Sequence, residues 1–301
     1  MEMKKILLAD SLDKEATEKI QAIPGGEVTV KTGMDEAELV RTIPGFNAIV
    51  VRSTTKVTRK VIEAASGLEI IVRAGIGLDN IDVGAAKEKG IKVANTPAAT
   101  TISVAELTLG LMLGAVRQLG RANLSLKEHK WEKKALSGTE LHGKTLGIIG
   151  GGRIGLAVAE RALAFGMKIL IYDVVRVETK LNVSQVEMED LLSRSDIITL
   201  HTPKQAEPLL GREEFQKMKD GVILVNAARG GVVDEAALLE ALNSGKVRTA
   251  AVDVFEREPP TDFALIDHPN VMASPHIGAA AKEGQKRAGL EVARILEANL
   301  T

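Results

Sequence analysis

Three polar residues in the second half of the sequence have side chains suited to moving a proton beside a bound anion. Arg229, Glu258 and His276 each follow a short apolar run. An imidazole titrates near neutral pH, so His276 is a candidate acceptor for a hydroxyl proton. A carboxylate on the second ring nitrogen would fix its tautomer and stabilise the imidazolium. A guanidinium such as that of Arg229 binds a carboxylate through two parallel hydrogen bonds.

Other roles stay open for each of these residues. Spacing alone is compatible with Arg229 as a surface ion-pair partner, Glu258 as a solvated loop acid and His276 as a residue at the start of a helix. His201, at the end of an apolar run, is interpreted as lining a cofactor site. The remaining histidines are interpreted as surface or packing residues: His129, His142 and His268. None has the spacing of a metal ligand, so no metal is predicted.

A glycine-rich turn predicts a dinucleotide site. The apolar run 145–149 leads into Gly150-x-Gly152-x-x-Gly155, and a helical pattern, 156–165, follows at once. Gly150 permits a tight turn, Gly152 lets the backbone approach a pyrophosphate, and Gly155 allows the helix to pack closely on the strand. The N–H groups and dipole at the helix N-terminus would then bind the phosphates.

The cofactor predicted from this segment is NAD. The next apolar run ends at Asp173, where a carboxylate accepts a hydrogen bond from the ribose 2′-hydroxyl and repels a 2′-phosphate. Two features count against this interpretation. Gly151 makes the turn looser, and Arg176 could reach the 2′-phosphate of NADP.

Apolar runs alternate with helical patterns along the whole chain, which predicts parallel sheets covered by helices. Ten strands are predicted: 5–9, 48–52, 70–73, 92–95, 146–150, 168–172, 196–200, 222–226, 249–252 and 271–273. So many strands favour two α/β domains over one. The boundary is placed at Asn95-Thr96-Pro97, before a long helical stretch that begins near Thr101. A last helix, about 280–299, could return to the first domain.

The composition excludes several classes of protein. The 301 residues include 39 Lys+Arg and 40 Asp+Glu, a net charge of −1 that gives no general attraction to nucleic acid or anionic membranes. Aromatic residues make up 2%, too few for stacking on single-stranded bases. The chain has no Cys, so thiolate chemistry is excluded. No apolar stretch approaches the roughly 18 residues of a membrane span, and a soluble, cytoplasmic protein is expected.

Taken together, the motifs resemble the D-2-hydroxyacid dehydrogenases over essentially the whole chain. The resemblance lies in the glycine turn and in a set of further segments: 51–58, 73–82, 95–97, 103–107, 130–134, 138–141, 201–203, 228–231, 253–259 and 274–279. It implies two doubly wound parallel-sheet domains, a Rossmann NAD-binding domain (98–280) inserted into a flavodoxin-like substrate domain (1–97 with the helix 281–301).

The resemblance also implies roles for individual residues. Arg229, Glu258 and His276 would be the catalytic set. The cofactor would be bound by the glycine turn and a group of residues around it: Val104, Gly150, Gly152, Arg153, Ile154, Gly155, Asp173, His201, Thr202, Pro203, Ala227, Asp253 and Gly278. The substrate would be bound by a second group, in which backbone N–H groups around residues 74–76 hold its carboxylate: Arg52, Ser53, Ala74, Gly75, Ile76, Asn80, Lys133 and Lys134.

Within the family, the Arg52-Ser53 and Trp131-Glu132 segments point to the members that oxidise D-3-phosphoglycerate, so the expected partner is a small phosphorylated 2-hydroxy acid. Arg52 is the leading candidate to bind the phosphate, and Lys133 or Lys134 of a second subunit comes next. Solvated surface charge is the alternative for all three residues. A glyoxylate or hydroxypyruvate reductase would share every catalytic residue, and the family also includes a dinucleotide-sensing corepressor.

Two further expectations come from the resemblance. Members of the family pair through the cofactor domain, so a homodimer is expected, with the helix 101–116 and the Trp131 segment crossing to the partner. The chain ends at Thr301, where longer relatives continue into regulatory domains, so we expect no feedback by serine through such a domain.

Overall fold

The computed structural model describes residues 3–300, which divide into two compact units. Unit 1 contains the described residues up to 101 together with those from 279 onward, and unit 2 contains residues 102–278. The sequence placed the two boundaries after residues 97 and 280. The first lies just before α5, which begins at Thr101.

Twelve strands and eleven helices are found in residues 3–300. The strands are β1 (Lys4–Leu8), β2 (Gly26–Val30), β3 (Ala48–Val51), β4 (Ile70–Arg73), β5 (Lys92–Asn95), β6 (Thr145–Ile149), β7 (Lys168–Tyr172), β8 (Ser184–Gln185), β9 (Ile197–Leu200), β10 (Val222–Asn226), β11 (Val247–Val252) and β12 (Val271–Ala273). The helices are α1 (Lys14–Gln21), α2 (Glu36–Thr42), α3 (Arg59–Ala64), α4 (Val83–Glu88), α5 (Thr101–Arg117), α6 (Leu119–Lys127), α7 (Arg153–Ala164), α8 (Met188–Arg194), α9 (Arg212–Lys217), α10 (Glu235–Asn243) and α11 (Lys282–Leu300).

Unit 1 is a five-stranded parallel sheet in the order β2-β1-β3-β4-β5, the order of flavodoxin-like folds. Alternate residues of each apolar strand face opposite sides of the sheet. A continuous apolar run such as 48–51 therefore contributes side chains to a hydrophobic core on each face. One core packs strand side chains against α2, α3 and α4. The other packs them against α1 and α11. Gly289 allows this second packing, because a Cβ there would lie 2.5 Å from the Cβ of Ala16 in α1.

Unit 2 is a seven-stranded parallel sheet in the order β12-β11-β10-β9-β6-β7-β8. Its two cores bury α8, α9 and α10 on one face and α5 and α7 on the other. The carboxyl ends of β6, β9, β10 and β11 lie side by side at one edge of this sheet, where ligands bind in open α/β folds.

The predicted fold class, two parallel-sheet α/β domains, is confirmed. The ten predicted strands are present with small shifts at their ends, and the structure adds β2 and β8. Both additions are largely exposed edge strands, β2 with the sequence GEVTV and β8 with only two polar residues. Neither has the apolar run of a buried strand, which is why the sequence pattern missed them.

No single described helix has the length and apolar composition to span a bilayer; α5 and α6 meet that measure only as a pair bent by 65°. Much of α5 is buried in the core of unit 2.

The central strand β6 yields a test of packing. A Cβ at Gly147 would collide with the Ser195 hydroxyl and lie 2.7 Å from the Leu191 Cδ2, both contributed by α8 and its C-terminal end. Gly147→Ala should therefore destabilise the protein by about 1–3 kcal/mol, the usual cost of overpacking a core. Gly110→Ala, at an exposed position of α5 with open space around it, is the matched control and should be neutral or stabilising. Urea unfolding followed by circular dichroism measures both variants, and equal midpoints would contradict this packing.

Candidate active site

The glycine turn between β6 and α7 has the geometry of a phosphate cradle. Gly150 has φ of +102°, a conformation that favours glycine. A Cβ at Gly155 would collide with the Gly150 carbonyl oxygen, so α7 reaches its position only with glycine there. A Cβ at Gly152 would meet no atom within 4 Å, which leaves open space before the first N–H groups of α7.

Gly151 and Asp173 join this turn to the loop after β7. The Gly151 N–H donates to Asp173 Oδ2 at 2.7 Å, and the Val175 N–H donates to Oδ1 at 3.2 Å. A Cβ at Gly151 would collide with Val177, so the residue that made the predicted turn look loose is required for this packing. Each carboxylate oxygen keeps a second lone pair for a ribose hydroxyl. Arg176, the alternative contact for a 2′-phosphate, is exposed.

Buried polar atoms after β9 lack partners within the described chain. His201 Nδ1 and Thr202 Oγ1 are buried and make no hydrogen bond, while His201 Nε2 lies 3.1 Å from Thr199 Oγ1. Burial lowers the pKa of His201 to about 3, so its ring is neutral at pH 7. Unpaired buried polar atoms are costly, and these two lie next to Gly150, whose added Cβ would be 2.6 Å from the His201 carbonyl oxygen. The glycine cradle and these unpaired atoms fit a dinucleotide.

The other predicted cofactor residues surround the same edge of the sheet. Gly278 lies against Val104, since a Cβ at Gly278 would be 3.5 Å from Val104 Cγ2. The remaining residues are at the start of α7 and just after β9 and β10: Arg153, Ile154, Pro203 and Ala227.

A buried carboxylate at the end of β11 holds the loop that carries His276. Asp253 is 1% exposed, and its carboxylate accepts hydrogen bonds from the Ser274 hydroxyl at 2.6 Å and the N–H groups of Ile277 and Gly278 at 2.9 and 2.8 Å. Its carbonyl accepts the His276 N–H at 2.8 Å. These bonds hold His276 at φ +51°, a conformation that a side chain other than glycine seldom adopts. Asp253 therefore positions the histidine, a role that the sequence did not predict.

His276 and Glu258 form a hydrogen-bonded pair. His276 Nδ1 lies 2.6 Å from Glu258 Oε2, and the Phe255 N–H donates to Glu258 Oε1 at 3.1 Å. The two side chains are 45% and 35% exposed, respectively, so the ring is open to a ligand. Because Glu258 occupies Nδ1, the nitrogen left for proton transfer is Nε2.

The pair shifts both pKa values in opposite directions. The hydrogen bond to Glu258 raises the pKa of His276, and burial opposes that shift only in part. Burial raises the pKa of Glu258, but the hydrogen bonds from His276 and the Phe255 amide, with the charge of Arg229, outweigh it and leave that pKa lowered. The carboxylate thus stays ionised and stabilises the imidazolium.

Arg229 follows β10 and lies near enough to influence both members of the pair. Its Nη1 donates to the Ala228 carbonyl at 2.7 Å. The next residue, Gly230, packs against the loop that carries Glu258, because a Cβ there would collide with the Phe255 carbonyl. The structure therefore brings together the three predicted catalytic residues.

A pair of glutamates, Glu235 and Glu256, holds the Glu258 loop from outside, and no sequence pattern predicted it. The Glu256 N–H donates to Glu235 Oε1 at 2.6 Å, and the Glu235 N–H donates to Glu256 Oε1 at 3.2 Å. This ties the loop to the first turn of α10. Burial raises the pKa of Glu235.

In unit 1, the loop after β4 corrects part of the predicted carboxylate site. The Ala74 N–H donates to the Val51 carbonyl and the Gly75 N–H to that of Arg73, both at 2.9 Å. These two amides are therefore occupied. Within residues 3–300 the N–H groups of Ile76 and Gly77 make no hydrogen bond, so these two amides are available to a carboxylate. The glycine-rich pattern located the loop but could not show which amides remain available.

The same loop adjoins Arg52, at the end of β3. Arg52 Nη1 donates to the Ser11 carbonyl at 3.2 Å, and Asn80 Nδ2 donates to the Arg52 carbonyl at 2.9 Å. Asn80 therefore supports the backbone of Arg52 through its Nδ2, and its assignment to substrate stays a prediction. The other predicted substrate residues, Ser53 in unit 1 and Lys133 and Lys134 in unit 2, are exposed.

This fold and site define an NAD-dependent dehydrogenase. The family model for the NAD-binding domain of D-isomer specific 2-hydroxyacid dehydrogenases matches residues 109–278. The chain belongs to the D-isomer specific 2-hydroxyacid dehydrogenase family.

Three relatives illustrate the range of the family. The chain is 56% identical over 288 residues to a hydroxypyruvate reductase of Thermotoga maritima, covering 94% of each chain. It is 50% identical to a D-3-phosphoglycerate dehydrogenase of Archaeoglobus fulgidus, covering 96% of this chain and 56% of that one. The chain thus spans about half the length of that relative. A crystal structure of D-lactate dehydrogenase from Aquifex aeolicus with NAD and lactic acid matches with a TM-score of 0.86 at 31% identity, covering 99% of this chain and 95% of that one.

The pKa of His276 can be tested directly. The imidazolium is present at low pH and is lost as pH rises through a pKa that Glu258 raises, so Glu258→Gln should move its titration to lower pH. Ring-proton NMR measures the shift, with His276 assigned by comparison with His276→Asn. His201, buried and neutral, is the internal control and should not titrate above about pH 5 in either protein. An unchanged His276 titration in Glu258→Gln would show that the pair is not formed in solution.

Proposed function

We propose that this protein interconverts D-3-phosphoglycerate and 3-phosphohydroxypyruvate with NAD as the hydride acceptor, the first step of a phosphorylated route to serine. The observation that carries the proposal is a cation, Arg52, at the same carboxyl edge of the unit 1 sheet as the unoccupied N–H groups of Ile76 and Gly77. A phosphorylated hydroxy acid carries one anion at each end. The amides suit its carboxylate, and a guanidinium suits its phosphate.

The remaining groups of Arg52 are available for an anion. Its side chain is held by one hydrogen bond, from Nη1 to the Ser11 carbonyl, and within residues 3–300 its other guanidinium N–H groups make none. Arg73, its neighbour on β4, is engaged by the Arg52 and Gly77 carbonyl oxygens and therefore shapes the loop.

The chemistry belongs to the His276–Glu258 pair. When bound, NAD supplies the acceptor for the hydride that leaves C2 of the hydroxy acid. His276 Nε2 takes the hydroxyl proton, and the Glu258 carboxylate stabilises the imidazolium that results. Arg229 supplies positive charge where the oxygen on C2 becomes more negative during transfer. In the reverse direction His276 returns the proton, and both directions use the same groups.

A second candidate, reduction of hydroxypyruvate, rests on the match over 94% of both chains with the Thermotoga maritima hydroxypyruvate reductase. That substrate lacks the phosphate, so it would place no demand on Arg52. All the catalytic residues would act in the same way.

Pairing of two chains through unit 2 stays a prediction. It is supported by exposed apolar side chains along α6 and the segment after it, which are large for a solvated surface. These side chains are Leu119, Leu124, Leu126 and Trp131, the last of them 80% exposed. Exposed Lys133 and Lys134 lie in the same segment.

A substrate panel separates the two candidates. Initial rates of NADH oxidation with 3-phosphohydroxypyruvate and hydroxypyruvate should give a higher kcat/KM for the phosphorylated acid. Arg52→Ala should lower that value about ten- to a hundredfold, as expected for loss of roughly 1.5–3 kcal/mol of charged hydrogen bonding, with a much smaller loss on hydroxypyruvate. Arg41→Ala, an exposed arginine in the last turn of α2, is the control and should change neither value.

Two outcomes would reject the proposed substrate. A wild-type preference for hydroxypyruvate would favour the second candidate. An equal loss on both acids in Arg52→Ala would remove the phosphate role of Arg52.

A further inference from the structure

Asp10 is a buried carboxylate in unit 1 that takes no part in the proton transfer described above. It lies just after β1 and is 6% exposed. Its Oδ2 accepts the Arg52 N–H at 2.6 Å and the Thr55 N–H at 3.2 Å, and its Oδ1 accepts the Thr55 hydroxyl at 3.0 Å. A buried polar group needs hydrogen bonds of this kind, so Asp10 holds the turn 52–55 from one side.

The opposite side of the same turn is held by Asn80. Its Nδ2 donates to the Arg52 carbonyl at 2.9 Å and to the Thr55 carbonyl at 2.6 Å. Arg73 Nε adds a third bond, to the Arg52 carbonyl, at 3.1 Å. The turn is therefore clamped: Asp10 accepts its N–H groups and Asn80 donates to its carbonyl groups.

The segment after β1 also holds the side chain of Arg52. The residue after Asp10, Ser11, presents the carbonyl that accepts Arg52 Nη1 at 3.2 Å. The backbone N–H and the guanidinium of Arg52 are thus both hydrogen-bonded to one short segment, residues 10–11. A guanidinium whose orientation is fixed before the ligand binds loses less entropy on binding a phosphate. It therefore favours a phosphorylated substrate over one with a hydroxyl at the same position.

We infer that Asp10 is a positioning residue that aims Arg52 and so sets the preference for a phosphorylated substrate. The inference rests on the proposed function, because it assigns Asp10 an effect only through Arg52. Asp10 lies in unit 1, whereas the NAD-binding and proton-transfer groups described above lie in unit 2.

Asp10→Asn is the test. The amide keeps the shape of the carboxylate and can keep its oxygen on the two N–H groups, while its NH2 meets the Thr55 hydroxyl, which also lies 3.1 Å from the Ala9 carbonyl. What Asn removes is the negative charge that strengthens these hydrogen bonds. The KM for 3-phosphohydroxypyruvate should rise about tenfold, the equivalent of one charge-assisted hydrogen bond, while kcat and the Kd for NADH stay within about twofold of wild type. The KM for hydroxypyruvate should change far less. Asp13→Asn, the same substitution at the N-cap of α1, is the matched control and should leave both KM values unchanged.

A double-mutant cycle tests whether Asp10 acts through Arg52. If it does, Asp10→Asn adds little to the KM of Arg52→Ala; additive effects on KM would overturn the inference. If Asp10→Asn does not fold, Thr55→Val, which removes one bond to Asp10, should raise the KM for the phosphorylated acid about threefold, with Thr55→Ser restoring it. Equal KM values in these two variants and wild type would also overturn it.

The same measurements separate this inference from the proposed function. If Arg52→Ala changes neither KM, the phosphate role fails and the inference about Asp10 falls with it. If Arg52→Ala raises the KM for the phosphorylated acid but Asp10→Asn does not, the inference about Asp10 alone is wrong.

Discussion

The site in unit 2 depends on the hydrogen bonds that the buried Asp253 carboxylate makes with the loop after β12. Three donors, from Ser274, Ile277 and Gly278, converge on that one side chain. They hold His276 in a left-handed backbone conformation, which would be unfavourable without them. From that position the ring meets Glu258 at 2.6 Å. The pKa shift, the choice of Nε2 for proton transfer and the accessibility of the ring all follow from where this loop is held.

In unit 1, too, a buried carboxylate at the end of a strand holds a loop by accepting its hydrogen bonds. Asp10 follows β1 as Asp253 follows β11, and each is a buried carboxylate that collects backbone N–H groups from a loop elsewhere in its sheet. A parallel sheet brings the carboxyl ends of its strands to one edge, so one acid there can order the neighbouring loops. In unit 2 the ordered loop carries the proton acceptor, and in unit 1 it carries the cation assigned to the phosphate.

Local sequence pattern was sufficient for much of this structure. Continuous apolar runs identified the buried strands, and the spacing of Gly150, Gly152 and Gly155 with Asp173 located the dinucleotide turn. The edge strand β2 was not predicted because it has no continuous run of buried apolar residues. The contacts by which Asp10 and Asn80 hold the turn 52–55 were not predicted for a different reason. Asp10 contacts residues 42 and 45 positions away, and Asn80 donates to the Arg52 carbonyl, 28 positions earlier. The periodicity of apolar residues within one element carries no information about contacts between residues so far apart. Likewise, the sequence named residues 74–76 for the carboxylate, but only the hydrogen bonds showed which amides are occupied.

In the proposed reaction His276 Nε2 carries the proton, while the cofactor is bound by other residues. His276→Asn tests it most directly, because Asn tolerates the left-handed backbone at this position and cannot act as the base. We expect kcat to fall by about 10²–10⁴-fold, the usual contribution of general acid–base catalysis, while the Kd for NADH, measured by fluorescence titration, stays within about threefold. A kcat within about threefold of wild type would contradict it.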